Sequence, residues 1–413
     1  MSTLAILGGT PVRTEPMVTT GKRFDETELQ ELKEALDQQT LFYWFGEKVK
    51  TFRKQFADLY GMKHCHMVTS GTAALHVATA SIGIGPGDEV ITTPITDQGT
   101  IVAILAQGGV PVFADLDPHN YAITAETVAP CITAKTKAII VVHLAGNPAD
   151  LDPILALAKQ HGLRVIEDCA QSYLCRYKGR LAGTMGDIGC FSLNDFKHIS
   201  AGDAGMVITN DDALAERAGL YLDKGYRRDG SGRRPEILAP NYRPSELHGA
   251  VAIAQLRKLP HLCQRRNTLG DRLTAGVLGL PGIHPHKVLE GCESSYWFYL
   301  GRMDPAVLGV SRDDFVKAVA AEGVPVSAGY IQRMVYEYPV LTEHHAYDSC
   351  AFPWDGVYGR PIEYGPGMCP VAEAIEATSW RAPITEFMTE QDIDDISEAV
   401  RKVACHFAQT RTR

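Results

Sequence analysis

"FSLNDFKHISAGDAGM" (residues 191–206) ends an apolar run with a lysine, a histidine and a glycine-studded loop. A single lysine on a loop is ordinarily a solvated charge, because charged side chains are rarely buried. The alternative for Lys197 is an amine held beside a carbonyl-bearing cofactor, and the rest of the chain must supply its surroundings. Upstream, "LRVIEDCAQ" (163–171) reads as a strand ending in Glu167 and Asp168. Successive strand side chains point to opposite faces, so only one of the two acids enters a crevice at the strand end. A carboxylate buried there needs a cationic partner or it takes up a proton, unless it merely caps the next helix. Further upstream, "MVTSGTAALHVATASIG" (67–83) passes from strand through Ser70, Gly71 and Thr72 into an alanine-rich helix. Free N–H groups, a helix dipole and two hydroxyls there make an anion site, although the stretch read alone is equally a plain N-cap.

Around these stretches, short apolar runs alternate with amphipathic segments. Strands are expected at "HCHMVT", "DEVITT", "VPVFADL", "KAIIVVH", "LRVIEDC", "IGCFSL" and "GMVITN". Helical segments between many of them predict βαβ units on a mostly parallel sheet, which binds ligands at the carboxyl ends of its strands. "DETELQELKEALDQQ" (25–39) and "EKVKTFRKQFADLYG" (47–61) read as helices, the second burying Val49, Phe52, Phe56 and Tyr60 and stopping at Gly61. A long helix is expected over 255–279, with Pro260 as a place to kink. Beyond it come a strand ("SYWFYLGRM"), a helix ("SRDDFVKAVAAEG"), an irregular stretch over roughly 330–375 and a closing helix ("TEQDIDDISEAVRKVACHFA"). The expected organisation is a large α/β domain over 1–265, with an N-terminal arm, and a smaller α+β domain over 266–413.

Composition narrows the function. Of 413 residues, 45% are hydrophobic and 22% charged, with a net charge of −9 spread over both signs, so neither nucleic acid nor an anionic membrane is an expected partner. The basic cluster "RRDGSGRR" (227–234) is short and glycine-broken, as in a surface loop. Ten cysteines lack C-x-x-C or zinc-finger spacing, which fits small buried hydrophobes in a reducing compartment. No apolar run approaches the roughly 20 residues of a membrane helix, and the N-terminus lacks a secretory pattern. A cytoplasmic location without a bound metal is expected.

Phosphate cradle, strand-end acid and lysine, in that order on such a sheet, together form the parts list for pyridoxal 5′-phosphate. Lysine holds the carbonyl, the acid holds the pyridinium, and the helix N-terminus holds the phosphate. The chain also resembles the sugar and cyclitol aminotransferases of the DegT/DnrJ/EryC1/StrS family, which have the pyridoxal-phosphate-dependent type I aminotransferase fold. The resemblance runs nearly the whole length. It rests on "LGGTPVR", "SGTAALH", "GIGPGDEVITTP", "VPVFADLDP", "HLAGNPADLDPI", "VIEDCAQ", "GDIGCFSLNDFK", "GDAGMVITND", "PNYRPSELHGAVAIAQL" and "GMCPVAE". The first of these and the "YGPGMCPVAE" region look most like the branch acting on cyclitols and an aminohydroxybenzoate precursor.

The resemblance carries roles onto matching positions. Lys197 matches the cofactor-bearing lysine, Asp168 the acid under the pyridine nitrogen and Gln171 the contact on the ring-hydroxyl side. Ser192, with Ser70, Gly71 and Thr72, matches the phosphate cradle, and Asn241 of "PNYR" the phosphate contact supplied by the other subunit. A homodimer with shared active sites is therefore implied. A dehydratase branch has histidine in place of the lysine, whereas here Lys197 is kept and His198 follows it, which favours transamination. One departure stands out. Where the family carries an aromatic over the cofactor ring, "PITDQGT" (94–100) places Asp97, giving up stacking area. Asp97 either acts on cofactor or substrate, or caps the helix "TIVAILAQGG", or leaves the ring to Gln98 or a residue elsewhere.

Other candidates read from the residues are His143 at a strand end, which is more simply a structural histidine. Lys224, Arg227, Arg228 and Arg243 are candidates for a donor carboxylate. Tyr330, Tyr336, Tyr338 and Trp354 form either a substrate wall or ordinary packing. The resulting expectation is an aminotransferase that moves an amino group from L-glutamine or L-glutamate to a keto group on a cyclitol, a nucleotide-linked sugar or a related polyhydroxy ketone. A dehydratase or lyase on the same scaffold, and a non-catalytic cofactor-binding regulator, are the rivals.

Overall fold

Seven short strands, six of them buried along nearly their whole length, assemble the central sheet of the computed structural model, which describes residues 3–230 and 234–411. Residues 231–233 of the basic loop lie outside the described residues. The strands are β1 (His64–Val68), β2 (Glu89–Thr92), β3 (Val110–Phe113), β4 (Thr136–Val142), β5 (Arg164–Asp168), a small hairpin β6 (Arg176–Tyr177) and β7 (Arg180–Leu181), β8 (Ile188–Ser192) and β9 (Gly205–Thr209). The large sheet has the order β1-β9-β8-β5-β4-β2-β3. Only β9 runs antiparallel to its neighbours. Burial on both faces explains the near-continuous apolar reading of these strands. Ile140 and Ile166 enter one core, and their neighbours Ile139, Val141 and Val165 enter the other.

A second, antiparallel sheet has the order β10-β11-β13-β12, from β10 (Ile283–His284), β11 (Phe298–Met303), β12 (Ser327–Ala328) and β13 (Ser379–Pro383). Its own core gathers Leu269, Leu273, Tyr299, Phe315 and Trp380 with Leu4 of the N-terminal arm. The helix that joins the two sheets spans Glu246–Val277, starts nine residues before the sequence-based expectation and continues through Pro260. Its first turns, with Gly249, Ala250, Ala252, Ile253 and Ala254 all buried, show no polar face, so amphipathic periodicity does not mark their start.

Local chemistry sets the element ends. The helix Glu26–Asp37 opens on a capping box between Asp25 and Glu28. The helix Lys48–Tyr60 ends at Gly61 in the left-handed conformation, as expected from the sequence. Its N-terminus is capped from afar, since Glu246 accepts the Lys48 and Val49 N–H groups at 2.6 and 3.1 Å. Most of the irregular stretch before residue 375 packs onto the large sheet at its β3 edge, where Tyr364 donates to the Pro111 carbonyl at 2.7 Å. No helix among the described residues is long and apolar enough to cross a membrane.

Candidate active site

The carboxyl ends of β1, β2, β5 and β8 open into one cleft of about 330 Å³, lined by Ser70, Gly71, Thr72, Asp97, Asp168, Gln171, Ser192 and Lys197. All the same-chain residues expected at the site are therefore together. Asn241 is exposed and lies outside this lining; its Oδ1 accepts the Arg243 N–H at 3.3 Å.

At the end of β1, Ser70 caps the helix Gly71–Ser81 and accepts the Ala73 N–H at 3.0 Å. The N–H groups of Gly71 and Thr72 find no partner among the described residues and face the cleft. A Cβ on Gly71 would stand 2.7 Å from the Ser192 Cβ, and one on Gly99 would stand 2.6 Å from Thr72 Oγ1. The cradle is thus kept open by glycine where any side chain would close it.

Alternation along β5 separates the two acids. Glu167 faces away from the cleft, fully buried, and accepts from the backbone of Gly183, Met185 and Gly186 at 2.6–2.7 Å and from His143 Nε2 at 3.0 Å. The Ala149 N–H donates to His143 Nδ1 at 3.1 Å, which fixes the proton on Nε2. His143 is thus a structural histidine. Together with Cys169 it stands near Glu167 as a metal site would, but its nitrogens and the carboxylate are already committed to hydrogen bonds. Asp168 faces the cleft with only Thr100 Oγ1 at 3.0 Å and the Ala170 N–H at 3.1 Å. Burial pushes its carboxyl above the usual range, with the two hydrogen bonds and Lys197 opposing that shift.

Lys197 is neither a solvated charge nor an ion-paired one. Burial lowers its amine to about 8, against the pull of Asp168 and Asp97. Its Nζ stands 3.7 Å from the centroid of the Trp297 ring. The loop that carries it is tied to the N-terminal arm, where Arg23 donates to the carbonyls of Asp195, Lys197 (2.7 Å) and His198 (3.2 Å). His198 points away, fully buried, with Nε2 3.0 Å from the Ser295 carbonyl oxygen.

Gln171 is buried between Ala145, whose N–H it accepts at 2.8 Å, and Tyr330, to whose hydroxyl it donates at 3.1 Å. Tyr330 therefore backs the site through Gln171, outside the lining itself. Tyr336 bonds Glu373, and Trp354 stacks on His344; both are core packing, and Tyr338 packs against the same core. Asp97 lines the cleft and also caps the helix Gln98–Leu105, accepting the Gly99 N–H at 2.8 Å. Asp97 is thus the helix cap while its side chain also lines the cleft, and Gln98 does not take its place in the lining. The basic candidates are committed elsewhere. Arg228 and Arg243 both clamp the buried Asp223, Arg227 pairs with Glu216 and Glu236, and Lys224 sits over the Tyr226 ring. Trp297 and Arg23 carry no local sequence signal; they reach the lysine only through the fold.

A desolvated lysine opposite a strand-end carboxylate, across a helix N-terminus of a mostly parallel sheet, defines the class of lysine-based aminotransferases with the type I fold. The model of the DegT/DnrJ/EryC1/StrS aminotransferase family matches residues 22–401, and the chain belongs to that family. It is 34% identical over 416 residues, covering 97% of this chain and 98% of the relative, to a Streptoalloteichus tenebrarius protein described as an L-glutamine:3-amino-2,3-dideoxy-scyllo-inosose aminotransferase. It is 36% identical over 304 residues to the GDP-perosamine synthase of Caulobacter vibrioides, covering 73% and 81% of the two chains. The structure of 3-amino-5-hydroxybenzoic acid synthase superposes with a TM-score of 0.83 at 26% identity, covering 95% of this chain and all of that one. The chain is an aminotransferase.

Proposed function

We propose that the chain holds pyridoxal 5′-phosphate on Lys197 and transfers an amino group from L-glutamine or L-glutamate to a keto group of a cyclitol or sugar. The observation that carries this is the Lys197 amine, lowered to about 8 by burial in the same cleft as Asp168. The residues present fit the cofactor. Gly71, Thr72 and Ser192 offer unpaired N–H groups and hydroxyls where a Cβ would block a phosphate. Asp168 is a buried carboxylate that lacks a cation, which a protonated ring nitrogen supplies. Gln171, in the lining and bonded to Tyr330, would contact the ring's hydroxyl side. When bound, the cofactor supplies an electron sink that acidifies the carbon bearing the amino group.

The chain's own contribution is positioning and proton handling. Lys197 Nζ, poised near neutral pH, takes a proton from the substrate carbon and returns one, as general base and then acid. Asp168 stays ionised opposite a cationic ring and keeps that ring protonated. Trp297 and the Arg23-pinned loop cover one side of the amine. Asn241 is exposed and outside the lining of its own cleft; in a homodimer it would reach the phosphate of a partner's cleft, as the family resemblance implies. Exposed Phe45, Leu238 and Phe196, 70, 97 and 79% accessible, supply apolar surface for such a contact. Asp97 adds a second carboxylate to the cleft, which favours a keto substrate bearing a cationic amine; the substrate named for the Streptoalloteichus relative is one.

The test is the absorbance spectrum of the purified chain with pyridoxal phosphate, before and after L-glutamine and then L-glutamate. Discharge of the lysine-bound band with release of a 2-keto acid is expected. A bound cofactor that neither amino acid discharges sinks the reading and moves a lyase or a cofactor sensor ahead.

A further inference from the structure

The backbone is bent out of its ordinary range where the small sheet meets the cleft. Tyr296 has φ 41° and Ala145 has φ 58°, conformations that cost a bulky or methyl-bearing residue free energy and persist only when the surroundings enforce them. The two strained segments lie against each other. Ser295 and Trp297 donate to the carbonyls of Gly146 and Ala145 at 3.0 and 2.9 Å, and a Cβ on Gly146 would fall 2.6 Å from the Tyr296 nitrogen. Trp297 is then fixed from two more directions. Its Nε1 donates to the Phe196 carbonyl at 2.7 Å, and its own carbonyl accepts from Arg266 at 3.3 Å. This strain and bonding set an indole face 3.7 Å from Lys197 Nζ.

We infer that Trp297 is a positioning residue that receives the Lys197 amine as an ammonium whenever it is not bonded to carbon, and thereby sets how readily that amine gives up its proton. A ring face attracts a cation through its quadrupole but offers no lone pair to take the proton. A carboxylate in the same place would form an ion pair and hold the proton too tightly for acid–base work near neutral pH. Among the described residues no carboxylate pairs with Lys197; Asp168 and Asp97 act on it only at longer range. Burial lowers the amine toward neutrality, and an indole face opposes that shift by favouring the ammonium form. This inference rests on the reading of Lys197 as the cofactor-bearing amine.

The experiment measures the lysine directly. The full-length chain, without added pyridoxal phosphate, is pulse-labelled with limiting acetic anhydride between pH 6 and 10. Acetylation of the Lys197 peptide is followed by mass spectrometry against exposed Lys22. In Trp297→Leu the midpoint of Lys197 reactivity should fall by about one pH unit, an about fivefold rise in free amine at pH 7. Trp297→Phe, which keeps a weaker ring and most of the packing, should fall by about half as much. An unchanged or raised midpoint in either folded variant overturns the inference. Because labelling needs neither cofactor nor turnover, failure of the spectral test above leaves this result standing, and the reverse.

Discussion

Glu167 and Asp168 are neighbours on one strand, both fully buried, and the protein treats them in opposite ways. Glu167 receives three backbone N–H groups and an imidazole N–H, and its carboxyl is held below the usual range despite burial. Asp168 receives one hydroxyl and one N–H, and burial wins, pushing its carboxyl up. The same residue chemistry at the same depth is a finished structural joint on one face and an unmet demand for positive charge on the other. Burial alone therefore does not mark a functional acid; the shortfall in its donors does.

That contrast can be broken in order of expected effect. Lys197→Ala, on the open face, should abolish amino-group exchange by at least about a thousandfold while circular dichroism stays that of the folded chain, since the residue carries chemistry rather than packing. Asp168→Asn should lower exchange by about a hundredfold or more, yet raise the unfolding free energy of the cofactor-free chain at pH 7.5 by about 1 kcal/mol, because it removes a buried charge that lacks a partner. A loss of stability there would erase the distinction between the faces. Glu167→Gln should do the opposite. It should cost about 3 kcal/mol in urea unfolding, through lost charge-assisted bonds, while the folded fraction retains its turnover rate.

The pH dependence sharpens the same point. Glu167 has a lowered carboxyl, so its stabilisation is full above the ordinary value of 4.5 and is lost as pH falls through its folded value. The wild-type chain should lose more stability than Glu167→Gln on going below about pH 4.5, as read from paired unfolding curves. Smallest of all, Asp97→Asn should leave stability within about 0.5 kcal/mol, because asparagine caps a helix as well as aspartate. With the cap kept and the charge gone, a rise of the KM for an amine-bearing ketone without a change in kcat isolates the charge as the part that meets substrate.

The open face was largely legible in the sequence. Ser70–Thr72, Asp168, Gln171 and Lys197 each lie at the carboxyl end of a strand or within five residues of it, so finding the strands places them at one edge. Asp97 was legible only as a choice, because capping and lining the cleft use different parts of the same carboxylate. Tyr330 was legible only as one of four aromatic candidates, and Trp297 and Arg23 were not found as the lysine's neighbours. They arrive from segments distant in the chain, and the positive φ at Tyr296 that aims Trp297 is a residue type no propensity would place there. The four basic candidates looked alike as sequence; only the fold shows Asp223 absorbing two of them.

The arm that precedes the first helix reaches the backbone of the reactive lysine's loop through Arg23, whose own carbonyl is held at 3.0 Å by Gln255 and at 3.2 Å by Lys258. Whatever tugs on the front of the polypeptide is therefore felt where the chemistry happens. A fusion tag that unseats the arm, or a protease that clips it, would slacken the lysine's loop without touching the sheet. An inactive preparation of an otherwise intact fold should first be checked for the integrity of its leading two dozen residues.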